Sequence, residues 1–464
     1  MDVAIDRGLK VGVHARFLFR MSRRCGPSIA ESRGPAQELG ASGRLLRRVG
    51  RTSLAGPASL YSGERALAQR QKPRTAKRRP RPSPAPHADL GAGSRWPAVR
   101  ERADATGDVA AAGQGGPGLR ARRRPGLDLA AVAADARLLE EVGYDGVAVE
   151  ETKQDPYIVM ALAAAATTRL RVSTAIAMAF PRSPTITAMS AWTLQKLAKG
   201  RFTLGLGPQV RAHIERRYGL AWSAPGPWMR EYVAAVRAVW RCWQDNRPLD
   251  VKGPHYALNL MPPLFNPGPI GHPDIPIHLA AVNVQMCQVA GEVADGVRPH
   301  PICSADYIAN VMIPEVRKGA ARAGRSLAHF NICHKPLVAT APTAEELALR
   351  VGDVRARLAF YISTPSYRPA VEYHGLGDLA RKLSLLARAQ DWDEMPQYVS
   401  DEVLELFAVV GTHEEIAARL LQRFGDVVTH CEFSIAVKGP VDKQRLAEIA
   451  AVAHAHSSDA VRGG

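Results

Sequence analysis

The sequence predicts an α/β fold, a (β/α)8 TIM barrel with insertions, that follows a basic N-terminal arm. From Leu127 onward, short apolar runs alternate with amphipathic helices, as is typical of parallel βα units. Roughly seven strands can be read there, which suits a barrel of eight units with insertions. The close glycine pair Gly205 and Gly207 lacks the third glycine of a dinucleotide-binding turn, which disfavours an open doubly wound sheet.

The barrel units are predicted from apolar spacing and glycine stops. Val132, Ala136 and Leu139 recur at helical spacing, Gly143 ends that helix, and Gly146–Val149 follows as a strand. The later predicted elements are the helix Asp155–Thr168, strand Leu170–Ala179, helix Pro184–Leu197, strand Arg201–Gly207, helix Met229–Trp243, strand Ile275–Ala281, helix Val284–Val293, strand Gly296–Pro299, helix Ile308–Ala323, strand Phe330–Ala339, helices Thr343–Leu358 and Thr412–Phe424, and strand Val427–Ile435.

The net charge of +17 lies entirely in the arm. Met1–Gly126 holds 26 of the 61 basic and 9 of the 44 acidic residues, which leaves 35 of each for Leu127–Gly464. An arm so rich in Arg, Pro and Gly buries too little apolar surface to offset its ordering entropy, so we expect it to be disordered. We expect two parts of the chain, residues 1–126 as this arm and residues 127–464 as the barrel.

Three interpretations of the arm remain open. It is an unselected extension from GC-rich coding sequence, a basic tail that binds phosphates or acidic partners, or a targeting peptide. The first is favoured, because the densest basic stretch, Lys72–Pro82, shows neither aromatic interleaving nor the pattern of one amphipathic helix.

Several classes of protein are disfavoured by composition. No run of 18 apolar residues and no signal-peptide pattern occurs, so we expect no membrane span. The six cysteines are widely spaced, without a CxxC pair or a Cys/His cluster. We therefore expect no metal site and a reducing, cytoplasmic location.

A set of short motifs carries a family resemblance. The chain reads Gly143-Tyr-Asp-Gly146, Pro181-Arg-Ser-Pro184, Gly200-Arg-Phe-Thr-Leu-Gly-Leu-Gly207, His213-Ile-Glu-Arg-Arg-Tyr-Gly219 and Ala290-Gly-Glu-Val-Ala-Asp-Gly296. In this order and spacing the motifs resemble the luciferase-like oxidoreductase superfamily, and within it the coenzyme F420-dependent branch. The resemblance runs from about Gly126 to about Lys438 and includes Phe360–Pro369 and Phe407–Gly411. It implies a barrel that binds a deazaflavin or FMN at the carboxyl ends of its strands.

The resemblance also implies roles for residues that follow the strands. Glu151 and Thr152 match positions where F420-dependent relatives commonly have Asp and His, so a carboxylate remains there and an imidazole is lost. Glu151 is a candidate proton acceptor if burial raises its pKa, and the alternative is that Glu150–Asp155 caps the next helix. His213 is the candidate imidazole near the mouth, with a solvated loop position as its alternative.

The coenzyme is expected to contact Thr152, after the strand Gly146–Val149, and three later strand ends. The ring would pass Ala175 and Ile176, where relatives often have a non-prolyl cis peptide bond, and Gly205 and Gly207 would let it approach the backbone. The phosphate end would meet Ala281, Asn283 and Val284, at the start of a helix with free N–H groups. His300, at the same rim, is a candidate substrate contact.

The first barrel strand is missing from the expected place, because Arg120–Gly126 is cationic and ends in Pro-Gly. Either the barrel is open there, or a distant segment such as Asp2–Asp6 supplies the strand. It would then lie between the strands Gly146–Val149 and Val427–Ile435.

The sequence thus favours an oxidoreductase that moves a hydride between coenzyme F420 and an unidentified small organic substrate. The alternatives are an FMN-dependent luciferase-like monooxygenase and an inactive barrel scaffold with a basic binding tail. We expect no membrane partner and no nucleic acid. The oligomeric state stays open between a monomer and a homodimer, although neutral, apolar-rich barrels of this kind often pair. The insertions Trp222–Asn266 and Tyr361–Met395, which would wall the pocket, carry no readable chemistry.

Overall fold

The computed structural model describes residues 16–20 and 127–462. Apart from Arg16–Arg20, the predicted basic arm lies outside the described residues, and so does Asp2–Asp6. In the described part of the chain, none of the helices combines the length and apolar composition needed to cross a bilayer. No group of three or more His, Cys, Asp or Glu residues there has the geometry of a metal site.

Eight strands form the ring of a barrel. The described strands are β1 (Arg16–Arg20), β2 (Gly146–Val149), β3 (Arg171–Thr174), β4 (Ala177–Met178), β5 (Phe202–Gly207), β6 (Val251–Lys252), β7 (Ala257–Leu258), β8 (Ile277–Ala281), β9 (Gly296–Pro299), β10 (Asn331–His334), β11 (Leu337–Ala341), β12 (Ala408–Thr412) and β13 (His430–Glu432). The hydrogen-bonded order of the ring is β3-β2-β1-β13-β10-β9-β8-β5, and β3 pairs with β5, which closes the ring; β4 also pairs with β5. The predicted barrel is therefore confirmed.

Helices cover the outside of the barrel and fill the insertions. They are α1 (Val132–Glu141), α2 (Pro156–Ala166), α3 (Pro184–Leu197), α4 (Arg211–Arg216), α5 (Pro225–Asp245), α6 (Val284–Val293), α7 (Ala305–Tyr307), α8 (Ile313–Arg322), α9 (Ala344–Ser363), α10 (Arg368–Glu372), α11 (Gly377–Ala389), α12 (Asp401–Phe407), α13 (Ile416–Phe424) and α14 (Pro440–Arg462). A π-helical turn, Ile308–Met312, joins α7 to α8.

Local chemistry sets where the first helices begin and end. The Asp155 side chain accepts the N–H groups of Tyr157 and Ile158 and starts α2, and Ser183 does the same for α3 through Ile186. Gly143 ends α1 at a φ of +91°, a conformation that glycine adopts without a Cβ clash. These caps explain why the predicted and observed boundaries agree closely in the first half of the barrel.

Two predicted strands are divided in the structure. Leu170–Ala179 splits into β3 and β4 around a cis peptide bond between Ala175 and Ile176, the position that the resemblance implied. Phe330–Ala339 splits into β10, which belongs to the barrel, and β11, which pairs with β12 in a separate two-stranded sheet. The prediction of one strand over Phe330–Ala339 is therefore wrong, and Lys335 and Pro336 separate the two.

The missing strand has the predicted place but a different origin. Arg16–Arg20 lies between β2 and β13, with Leu18 opposite Gly146 on one side and Glu432 on the other. It runs antiparallel to both neighbours, whereas the other strand pairs in the described part of the barrel are parallel. Without this strand, the facing edges of β2 and β13 would be left unpaired.

The strands present two different faces. Val147, Val172, Leu204 and Ile277 are buried in the apolar core that the strands share with the helices, and strand alternation puts Val172 on the face opposite to Ser173. The other face carries polar side chains into the barrel interior, where Arg298, Glu432 and Ser173 meet, although they come from strands that are not neighbours in the sheet. The polar interior lies directly beneath the carboxyl ends of the strands.

A proline at Leu18 tests whether Arg16–Arg20 holds the barrel together. Leu18→Pro removes a backbone donor from a strand flanked on both sides, so the free energy of unfolding should fall by about 1 to 3 kcal/mol in urea denaturation. Leu18→Val, which keeps the N–H and suits a strand, is the matched control and should change it by less than about 1 kcal/mol. Equal stability of the two variants would show that this strand contributes nothing to the barrel.

Candidate active site

The floor of the candidate site is a buried ion pair. Arg298, on β9, pairs with Glu432, on β13, and donates a hydrogen bond to Ser173 Oγ on β3 over 2.7 Å. Both charged side chains are at least 93% buried, so water contributes little to their solvation. Arg298 therefore neutralises Glu432 and ties three separated strands together across the interior. Its buried Nε has no hydrogen-bond partner.

Gly205 and Gly207 allow neighbouring strands to pack closely in the barrel interior. A Cβ at Gly205 would lie 2.0 Å from the Thr174 carbonyl oxygen, and one at Gly207 would lie 2.6 Å from Ile176 Cδ1. The space beside both glycines is thus taken by protein atoms. These contacts give a structural reason for both glycines, and the predicted contact with a coenzyme ring stays a prediction.

Glu151 is held at the exit of β2 by three hydrogen bonds to its carboxylate. Its carboxylate accepts two hydrogen bonds from Arg182, at 2.9 and 2.7 Å, and one from the Met178 N–H at 2.7 Å. Arg182 also pairs with Asp155 over 3.0 Å. Burial lowers the pKa of Arg182, but its bonds to the two carboxylates outweigh this and raise it overall. This arrangement favours a role for Glu151 in holding the loop after β4 over a role in proton transfer.

Two other predicted residues lie exposed to solvent. Thr152 is exposed, and its carbonyl oxygen is 3.5 Å from the Arg217 guanidinium. His213 lies on the exposed side of the short helix α4. The alternative of a solvated position therefore describes His213 in this structure, and its catalytic role stays a prediction.

The end of β3 supplies an apolar shelf, and the end of β8 leads into a helix start. Ala175 and Ile176 are half-buried after β3, whereas Ala281 is buried at the end of β8. Asn283 caps α6 by accepting the Met286 N–H over 3.1 Å. Asn283 and Val284 are themselves exposed, so the first turn of α6 faces solvent at the mouth.

His300 is half-buried and lies between two tyrosine rings. Its ring stacks on Tyr367 at 4.0 Å between centroids and meets Tyr361 edge-on at 4.7 Å. Burial, followed by the nearby His334, lowers the pKa of His300 to about 3. Its Nδ1 accepts the Ile302 N–H over 3.2 Å, so the neutral ring carries its proton on Nε2 and has a donor there.

Sequence reasoning missed four side chains that shape the mouth. Tyr361 and Tyr367 lie within Phe360–Pro369, but no sequence pattern predicted that they would contact His300. Lys335 forms an ion pair with Glu150 over 2.6 Å and joins the ends of β10 and β2. Arg298 had a visible signal, because an arginine inside the apolar strand Gly296–Pro299 requires a buried partner.

Comparisons with known proteins agree with this architecture. The model of the family described as luciferase-like monooxygenase matches residues 109–430. An uncharacterized protein of Mycobacterium tuberculosis is 43% identical over 297 residues, which cover 64% of this chain and 87% of that protein. A putative coenzyme F420-dependent oxidoreductase of the same species is 29% identical over 302 residues, covering 61% of this chain and 84% of the relative.

A solved structure shares the fold at lower identity. The coenzyme F420-dependent tetrahydromethanopterin reductase from Methanopyrus kandleri superposes with a TM-score of 0.58 at 19% identity, covering 71% of this chain and 96% of that one. At this identity the likeness shows the fold alone.

Removing one partner of the interior ion pair should destabilise the barrel strongly. Arg298→Met leaves Glu432 buried without a counter-charge, so we expect the free energy of unfolding to fall by about 3 to 5 kcal/mol. The double variant Arg298→Met/Glu432→Leu removes both charges and should recover most of that loss. Urea denaturation of the single and double variants measures the difference, and a double variant as unstable as Arg298→Met alone would contradict the pairing.

Proposed function

Since the chain belongs to the luciferase-like monooxygenase family, we propose that it is an oxidoreductase that transfers a hydride between coenzyme F420 and an organic substrate. The observation that carries the proposal is the half-buried His300, a neutral hydrogen-bond donor between two tyrosines at the carboxyl ends of the strands. The relative named as a putative coenzyme F420-dependent oxidoreductase supports the choice of coenzyme.

The residues present fit a coenzyme with a flat ring and an anionic tail. Ala175 and Ile176 form a half-exposed apolar shelf against which a ring can pack. The first turn of α6 is exposed, and the N–H groups of a helix start favour a phosphate. Asn283 uses only the Met286 N–H, so Val284 and the next residue keep theirs for the coenzyme.

When bound, the coenzyme would supply the hydride chemistry at its central ring. The protein then has to orient the substrate and keep water away. We propose that His300 Nε2 donates a hydrogen bond to a substrate oxygen and that Tyr361 and Tyr367 exclude water on that side. Because its pKa is lowered to about 3, His300 stays neutral from pH 5 to 9 and acts as a fixed donor.

Glu151 and Arg182 have a supporting role in this proposal. Their bonds hold the loop that follows the Ala175–Ile176 shelf, since Glu151 accepts the N–H of Met178 and Arg182 donates to the Met178 carbonyl oxygen over 3.2 Å. The pair therefore positions the shelf at the mouth.

Coenzyme titration tests the proposal. Purified protein is mixed with F420 and, separately, with FMN, and binding is followed by coenzyme fluorescence. Tighter binding of F420 is expected. Tighter binding of FMN would replace the proposal with an FMN-dependent monooxygenase of the same family, and binding of neither would remove both.

The donor role of His300 gives a separate prediction. His300→Phe keeps an aromatic ring between Tyr361 and Tyr367 but lacks Nε2–H, so F420 should bind as before while kcat/KM falls about 10- to 100-fold. His329→Phe is the matched control and should leave kcat/KM within about twofold, because His329 lies exposed in the loop before β10. A larger loss for His213→Phe than for His300→Phe would reverse the assignment. The F420 Kd, measured alongside, separates a lost donor from a lost coenzyme site.

A further inference from the structure

Three side chains in the segment between β5 and β8 form a relay. Ser223 Oγ lies 2.9 Å from His255 Nε2, and His255 Nδ1 lies 2.6 Å from Glu231 Oε2. A hydroxyl, an imidazole and a carboxylate thus follow one another at hydrogen-bond distances. The arrangement is that of a serine nucleophile, its general base and the group that orients the base.

Two elements bring these side chains together. Ser223 lies two residues before α5, and Glu231 lies in the second turn of that helix. His255 lies in the turn between β6 and β7, which the Gly253 N–H closes by donating to the Tyr256 carbonyl oxygen over 3.0 Å. The hairpin therefore lies along the first turns of α5.

The Glu231 carboxylate bonds directly to the backbone of the turn between β6 and β7. Its Oε1 accepts the N–H groups of His255 and Tyr256 at 2.9 and 2.7 Å, while its Oε2 accepts from the His255 ring. A Cβ at position 253 would lie 2.1 Å from Oε1, so the approach requires Gly253. The backbone bonds alone fasten the hairpin to α5, and the bond from Ser223 to His255 is not needed for that purpose.

The protonation pattern suits a nucleophile. Burial raises the pKa of Glu231, but hydrogen bonds from the His255 ring and from the backbone of Tyr256 and His255 outweigh it and lower the pKa overall. The ionised carboxylate accepts from Nδ1–H, so Nε2 of a neutral His255 has a lone pair free to accept the Ser223 proton.

Aromatic stacking fixes the imidazole. His255 stacks on Trp228 with ring centroids 5.4 Å apart and planes within 9°, and Trp228 stacks on Phe180 at 3.7 Å and 4°. The Trp228 side chain is also held by the hydrogen bond from its indole N–H to the Tyr256 hydroxyl over 2.8 Å. Ser223 and His255 are half-buried, so neither residue is fully shielded from solvent.

We propose that Ser223, His255 and Glu231 form a second active site, which hydrolyses small carboxylic esters. Ser223 Oγ adds to the ester carbonyl carbon while its proton passes to His255 Nε2. The carbon–oxygen bond to the alcohol then breaks, and His255 returns the proton to the leaving oxygen. Water, activated by the same imidazole, attacks the acyl-serine and releases the carboxylic acid and the free hydroxyl.

The start of α5, two residues after Ser223, would supply the donor for the charge that develops on the carbonyl oxygen. No side chain caps this 21-residue helix, and Ala224 precedes it. Pro225 and Pro227 have no N–H, so Gly226 supplies the N–H of the first turn nearest to Ser223. The positive end of the helix adds to that N–H in stabilising an oxyanion.

The test uses the full chain without any coenzyme, so its outcome is independent of the proposed hydride transfer. Hydrolysis of 4-nitrophenyl acetate is followed by release of 4-nitrophenolate, and a fluorophosphonate probe is located by peptide mass spectrometry. We expect hydrolysis above the buffer rate and one probe per chain, on Ser223. Ser223→Ala should lose the probe, and both Ser223→Ala and His255→Gln should hydrolyse the ester at least about 100-fold more slowly.

Ser326→Ala is the matched control, because Ser326 is an exposed serine of a loop elsewhere in the chain, and it should react like the unaltered protein. Glu231→Gln keeps the shape of the carboxylate, and a loss of about tenfold or more is expected from it. Circular dichroism shows whether each variant is folded. Absence of labelling in the folded unaltered protein, or equal hydrolysis by it and by Ser223→Ala, would overturn the proposal.

Discussion

The ion pair between Arg298 and Glu432 is the constraint on which the candidate site depends. Two opposite charges in the barrel interior are tolerated only while each faces the other, so β9 and β13 must keep one relative position. Ser173 extends the connection to β3. Arg16–Arg20 pairs with β13 on one side and with β2 on the other. Because the ion pair holds β13 in place, it also fixes one of the two neighbours of this strand. The height and spacing of the strand ends, and so the shape of the mouth, follow from this interior contact.

The residues at the mouth have two kinds of role: some hold the loop in place, and His300 is available to contact a ligand. Glu151, Arg182 and Asp155 form one ionic group that holds the loop beside Ala175 and Ile176. His300 has its ring fixed by two tyrosines and its Nδ1 by a backbone N–H, which leaves one donor for a ligand. A site built in this way orients a substrate by geometry that is already in place, and it needs no charged acid at the rim.

Much of the barrel could be predicted from the sequence, because caps and apolar periods are local. Asp155, Ser183 and Gly143 act within one turn of their own helix ends, and the predicted bounds of α3, α6 and β9 match the observed ones. The first strand could not be assigned, because Arg16–Arg20 pairs across more than a hundred residues of sequence and runs antiparallel. The Ser223–His255–Glu231 relay was missed for the same reason, since 24 residues separate Glu231 from His255 and only the hairpin brings them together. Glu151 was identified as a functional carboxylate, but its bonds to Arg182 depend on a contact that no local pattern shows.

A crystal structure with coenzyme F420 bound would test the proposed site most directly. The ring is expected against Ala175 and Ile176, with the phosphate at the first turn of α6 and His300 facing the space left for substrate. A contrary result would place the coenzyme at the opposite end of the barrel, for example in the cavity of about 650 Å³ that Trp192, Arg237 and Asp295 help to line. Density there, with the mouth beside His300 free of coenzyme, would contradict both the site and the role assigned to His300.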